Sequence, residues 1–195
     1  MKDSFASAAG KQMNHEKIKW RDGTSKKQYW PFKTSIIHYI AKNPSTAKCY
    51  LNMAQSCKYF FEAKPIIIIP RLTYDFDDKS FALLCQNKWD ECEKKEAKCC
   101  TKIDLNKLLH KLWITGSLNI DVQAYIPIIR TKIYRCEATM FGIFDINIMF
   151  DDFKLMTSFA EHVIIFDASI KYNDEKVVTL DKILESVPNL KFFEL

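Results

Sequence analysis

The stretch FKLMTSFAEHVIIF, residues 153–166, decides how this chain is read, because LDKILESVPNLKFF, residues 180–193, echoes it. Set 27 positions apart, Phe153, Met156, Thr157, Ala160, Val163, Ile165 and Phe166 face Leu180, Ile183, Leu184, Val187, Leu190, Phe192 and Phe193. Every pair but Thr157/Leu184 is apolar on both sides. Each copy reads as a helix at 3.6-residue spacing, a tight connection, then a short strand. Ile133, Arg135 and Cys136 supply a partial copy, 30 positions before Val163, Ile165 and Phe166. Units that cannot bury their own apolar face stack on one another. The expected result is a parallel ladder built from residues 133–137, 163–167 and 190–194.

Upstream, Leu105, Leu108, Leu109 and Leu112 suggest a helical stretch that leads into a strand near Trp113 and Ile114. Ile66 to Ile69, held between Pro65 and Pro70, reads as a short buried strand. Residues 76–98 read as loop plus helix. From Trp30 the texture is helical. Phe32, Ile36, Ile37 and Ile40 recur at helical spacing, and Asn43-Pro44 ends that helix. Ser45 or Thr46 can cap a second helix, whose apolar face is Tyr50, Met53, Ala54, Cys57, Phe60 and Phe61. Such a pair is too small to hold a core alone, so its apolar surface needs the following domain or a partner. The expected class is α/β (α+β overall). It divides into a disordered basic tail at 1–29, a helical segment at 30–62 and a strand–helix domain at 63–195.

Composition bounds the function. The chain has 195 residues, 48% hydrophobic and 27% charged, a globular balance that rules out a fibrous or wholly disordered chain. The longest aliphatic run is far short of the about 20 apolar residues a membrane-spanning helix needs, and the start has no apolar leader. The 4 glycines are scattered, which excludes a phosphate-cradling glycine loop. Of the net charge of +5, residues 1–29 carry +4 (seven Lys or Arg against three acids), leaving a nearly neutral body. Only four arginines occur, so base reading by bidentate forks is disfavoured and no specific nucleic acid is expected. An odd set of 7 cysteines without a leader points to free thiols in a reducing compartment.

The clusters that could carry chemistry have plainer readings. Cys85, Cys92, Cys99 and Cys100, with His110, lack the spacing that lets one turn aim two ligands at one zinc ion. Asp75, Asp77 and Asp78 lack the glycine and distal glutamate of a calcium loop. Asp151-Asp152 reads as a helix cap. Cys100, Asp104 and His110 can be drawn as nucleophile, orienter and base, but no enzyme signature surrounds them. His38 and His162 read as packing or surface residues. The expectation is therefore no catalytic residue, no metal and no cofactor.

Residues 30–61 resemble an F-box. Trp30-Pro31, Ile36-Ile37 with Ile40, Asn43-Pro44-Ser45, Leu51, and Cys57-Lys58 followed by Phe60-Phe61 carry the likeness. The acid usual shortly after the proline is replaced by Phe32-Lys33, and the gap to the aliphatic pair is about one residue long. The C-terminal echo in turn resembles leucine-rich repeats of the long, ribonuclease-inhibitor-like kind. Divergent F-box proteins with a following repeat region share this layout. The resemblance implies docking on the Skp-family adaptor of a cullin-RING ubiquitin ligase, with Pro31, Ile36, Ile37, Ile40, Leu51, Cys57 and Phe60 at the joint. It implies capture of a protein substrate by the repeats, and a cytoplasmic or nuclear setting with no membrane partner. The alternative is a leucine-rich-repeat-like interaction module with no ligase link, its helices serving as an N-terminal cap.

Overall fold

The computed structural model describes residues 29–74, 82–85 and 100–195. The expectation of a disordered tail falls almost wholly outside these residues, and that of loop plus helix over 76–98 does so except at Ala82–Cys85, which is a strand instead because it pairs with residues 71–74. The expected α/β class is what the chain adopts: helices with a mostly parallel sheet.

Three helices open the fold: α1 (Thr34–Lys42), α2 (Ala47–Ser56) and α3 (Lys58–Ala63). Asn43 closes α1, its Nδ2 donating to the Tyr39 carbonyl at 2.9 Å, and Pro44 bars continuation. Thr46 caps α2, its hydroxyl accepting from the Cys49 amide at 3.1 Å. The second expected helix breaks in two because Cys57 takes an extended conformation (φ −154°, ψ 125°).

The main sheet has eight strands: β1 (Ile66–Tyr74), β2 (Ala82–Cys85), β3 (Cys100–Ile103), β4 (Lys111–Ile120), β5 (Ile133–Cys136), β6 (Met140–Phe144), β8 (His162–Phe166) and β10 (Phe192–Glu194). A small second sheet pairs β7 (Asn147–Met149) with β9 (Ser169–Lys171). Helices α4 (Tyr125–Lys132), α5 (Phe150–Thr157) and α6 (Leu180–Glu185) fill the connections. The order is β10-β8-β6-β4-β1-β2-β3, with β5 also on β4, and every pairing from β10 to β1 is parallel. Strands buried on both faces read as continuous apolar runs, which explains β4. Leu112 and Ile114 join the main core while Trp113 faces the other side, all three fully buried.

Three further elements differ from the sequence reading. Leu105–Lys107 is one 3₁₀ turn rather than a longer helix, and Leu109 is left exposed, because Leu112 to Ile114 are drawn into the ladder beside Ile67 to Ile69. β1 runs on through Pro70 to Tyr74, with a register shift between Ile69 and Arg71 where proline offers no amide. The ladder also has another membership. β5 pairs with β4, not β8, and β6 stands between β4 and β8.

β6 and β8 open the clearest repeated unit. MFGIFDINIMF (140–150) and HVIIFDASIKY (162–172) align without a gap at an offset of 22, identical at 143/165, 144/166, 145/167 and 148/170, the register by which Met140 pairs with His162. Both turn at an aspartate with positive φ, Asp145 (54°) and Asp167 (45°), a conformation that Asp tolerates better than most residues. The next step is 30 residues, not 27: Phe192 pairs with His162, and buried Phe153 and Thr157 correspond to buried Ile183 and Val187. A three-residue shift along a helix returns nearly to the same face, so the apolar pattern alone accepts either offset.

A tight joint ties the helices to the sheet. Tyr50 and Trp113 are fully buried there with Ile66. The Tyr50 hydroxyl donates to the Lys64 carbonyl (2.7 Å) and accepts from the Ile66 amide (3.0 Å). Arg135 lies over the Trp113 ring, 4.6 Å from its centroid, and donates through Nη1 to the Ser45 carbonyl at 3.2 Å.

Candidate functional site

Two surfaces stand out. The first is the outer side of the helical segment. Ile37, Ala41 and Phe60 form its core, with Trp30, Met53, Cys57, Tyr59 and Ala63 packed around them. Trp30 meets Phe60 edge-on, ring centroids 5.4 Å apart. The rest of the apolar stripe of α1 turns outward, with Ile36 45% exposed, Tyr39 68% and Ile40 38%; Phe32, just before the helix, is 60% exposed. Leu51 of α2 is also exposed. The seven residues expected at an adaptor joint therefore divide. Pro31, Ile36, Ile40 and Leu51 are exposed, Ile37 and Phe60 are core, and Cys57 is half-buried against that core. Tyr39 and Phe32 add to the outward set. Tyr39 stands three residues after Ile36 on α1, a spacing that already puts the two on one face in the sequence.

The second surface is the open face of the parallel ladder. Side chains alternate across a strand, and Phe141, Ile143, Val163 and Ile165 point to the core. Their neighbours form rows on the other face, fixed by the register. One row is Ser117, Met140, His162 and Phe192; the next is Asn119, Gly142, Ile164 and Glu194; a third pairs Phe144 with Phe166. Phe166 is 62% exposed, and the His162 and Phe192 rings lie 5.8 Å apart. A Cβ on Gly142 would meet the Phe144 ring at 2.8 Å and Asn119 Oδ1 at 2.9 Å, so the missing side chain leaves that ring its place. Chemically this is an apolar, aromatic strip with one carboxylate and one imidazole. The reading of the sequence missed it because β6 was not recognised as a strand, although the 22-residue echo is present.

The polar clusters are engaged elsewhere. Asp104 accepts from the Asn106 amide at 2.9 Å and caps the 3₁₀ turn. His110 packs edge-on against Phe61, centroids 5.6 Å apart. Cys49, Cys57 and Cys136 are free thiols, but Cys100 is disulfide-bonded, contrary to the expectation of free thiols throughout. Burial pushes the Cys136 thiol up to about 11. Among the described residues no group of His, Cys, Asp or Glu is placed to hold a metal ion. An open cleft of about 440 Å³ lies beside β7 and β9, and Arg130 Nη1 approaches buried Asp152 Oδ1 there at 3.2 Å. Asp152 belongs to the first turn of α5, where the sequence places it, but it faces Arg130 rather than capping the helix. Among the described residues no helix is long and apolar enough to cross a membrane. No family model, curated protein or solved structure matches the chain.

Proposed function

We propose that this chain is a substrate-recognition adaptor. The outward stripe of α1, with Leu51, docks on the Skp-family subunit of a cullin-RING ubiquitin ligase, and the open ladder face holds a protein client. The observation that carries the reading is the split in α1. Ile37 alone of its isoleucines serves the core, while Ile36 and Ile40 remain outside with Phe32 and Tyr39. Large apolar side chains gathered on one helix face mark an interaction surface, and a helix lying in an apolar groove is a common way to cover one. The role is tethering. A client held on the ladder reaches a high effective concentration near the ubiquitin-loading subunit, and no residue here makes or breaks a bond.

Co-precipitation with the Skp-family adaptor tests the docking step, comparing wild type with Ile36→Asp and Leu51→Asp. Binding by wild type and loss in both variants is expected. Equal recovery of all three, or of none, removes the ligase link. What then remains is the second reading, an interaction module with no ligase link whose helices act as a cap. The burial of Trp113 and Ile66 under α2 favours that part of it.

A ligase adaptor belongs in the cytoplasm or nucleus. The disulfide at Cys100 pulls the other way, since reducing compartments rarely keep structural disulfides. Thiol alkylation in intact cells, read by mass spectrometry at Cys100, decides between them. A thiol that is oxidised in cells argues against that location.

A further inference from the structure

We infer that the cleft between α4 and β7 takes an extended, uncharged peptide segment of a partner, which adds to β7 as a parallel strand. The small sheet is incomplete on this side. In the main sheet β4 pairs with β6, but past Ile120 the chain turns away into α4, and among the described residues no strand follows β7. The Ser169 amide donates to the Ile146 carbonyl at 3.0 Å, which fixes the groups that β7 turns toward β9. Backbone groups alternate sides along a parallel strand, so the N–H of Asn147, the C=O of Asn147 and the N–H of Met149 point the other way, toward α4. A side chain already stands in for a missing strand at the first of these: Gln123 Oε1 accepts from the Asn147 amide at 2.8 Å. The next two groups, the Asn147 carbonyl and the Met149 amide, are the acceptor and the donor that one residue of an added parallel strand engages.

The walls of the cleft select the occupant. Its volume of about 440 Å³ leaves room beside this edge, and Ile126, Pro127 and Met149 give it apolar lining. Its charges are closed on one another: Arg130 approaches Asp152 at 3.2 Å, and Lys171 meets Glu175 at 3.3 Å. No excess of either sign remains to attract a phosphate or a cation. A neutral main chain with apolar side chains fits, because it supplies a donor and an acceptor to β7 and no charge to the ion pairs. Strand addition of this kind draws affinity from main-chain hydrogen bonds and specificity from alternate side chains. The site uses none of the residues assigned to the adaptor or to the open ladder face, so it stands whether or not the ligase reading does.

Random heptapeptides displayed on phage and selected on the full chain supply the probe, the enriched sequences then being synthesised with both ends capped. The expected peptides are uncharged and free of proline, with apolar residues at alternate positions, and their titration should slow hydrogen exchange at the Met149 amide. Met149→Pro isolates the edge. Met149 has φ −72°, which proline adopts, and the substitution removes only an outward donor. It should weaken binding about fivefold to tenfold, the worth of one hydrogen bond, with unchanged circular dichroism. Met149→Leu keeps the amide and should bind as wild type does. Recovery of no peptide overturns the inference. So does binding that leaves Met149 exchange unchanged, equal binding by Met149→Pro and wild type, or a loss in Met149→Leu as large as in Met149→Pro.

Discussion

Pro70 and Gly116 meet at the register shift between β1 and β4. A Cβ on Gly116 would sit 2.4 Å from the Pro70 carbonyl oxygen, a backbone atom that cannot swing aside. Gly116→Ala should therefore destabilise the fold by about 1–3 kcal/mol through forced strand separation, seen as a lower urea midpoint. An unchanged midpoint would show that the strands part without cost. Cys136 gives a pH signature. Its buried thiol donates to the Met156 carbonyl at 3.3 Å, and burial raises its pKa to about 11. The unfolded thiol ionises at roughly pH 8.5. The unfolded chain thus loses this proton first, so stability is full below that pH and falls as pH rises toward 11. The loss is on the order of 3 kcal/mol. Thermal melts from pH 7 to 11 should show a shallower decline in Cys136→Ala. Burial also raises the Tyr50 pKa, an effect common to both proteins, so an equal slope would clear Cys136 of the role.

Helix α1 lets the division between core and surface be tested on adjacent residues. Ile37→Asp places a charge in the core beside Phe60 and should unfold the helical segment, whereas Ile36→Asp should leave the melting temperature within a degree or two of wild type. Similar losses in both would mean that the stripe is not outward. The two aspartate corners form a second pair of equivalents. Val at Asp145 or Asp167 puts a β-branched side chain at positive φ, and each should cost about 1–3 kcal/mol. Much at this scale is legible in the sequence. Pro70 does not end the isoleucine strand, but the start of that strand, the Asn43-Pro44 stop and the Thr46 cap follow from local chemistry. The ladder register does not, because apolar residues three apart serve one helix face equally well. The gapless 22-residue echo, with its shared Phe-Asp corner, carries the register that the looser helical pattern hides.

Across the whole molecule, the α/β class is legible, because it rests on long apolar periodicities. The coverage of Trp113 is not. Nothing local to residue 113 announces that its partner is Tyr50, some sixty residues earlier, or that Arg135 will lie on its ring. That joint predicts the result of truncation. Deleting residues 30–62 uncovers Ile66 and Trp113 and should yield aggregated protein, measured by light scattering; a monodisperse remainder would show that the sheet does not need this cover. The same joint bears on cargo geometry. Because Tyr50 grips Lys64 and Ile66 while Arg135 ties the start of α2 to β5, the outward stripe of α1 and the ladder do not hinge freely. If the chain tethers as proposed, it works as a fixed bracket, so which lysines of a client receive ubiquitin is set by where they fall along one arc and hardly by their sequence.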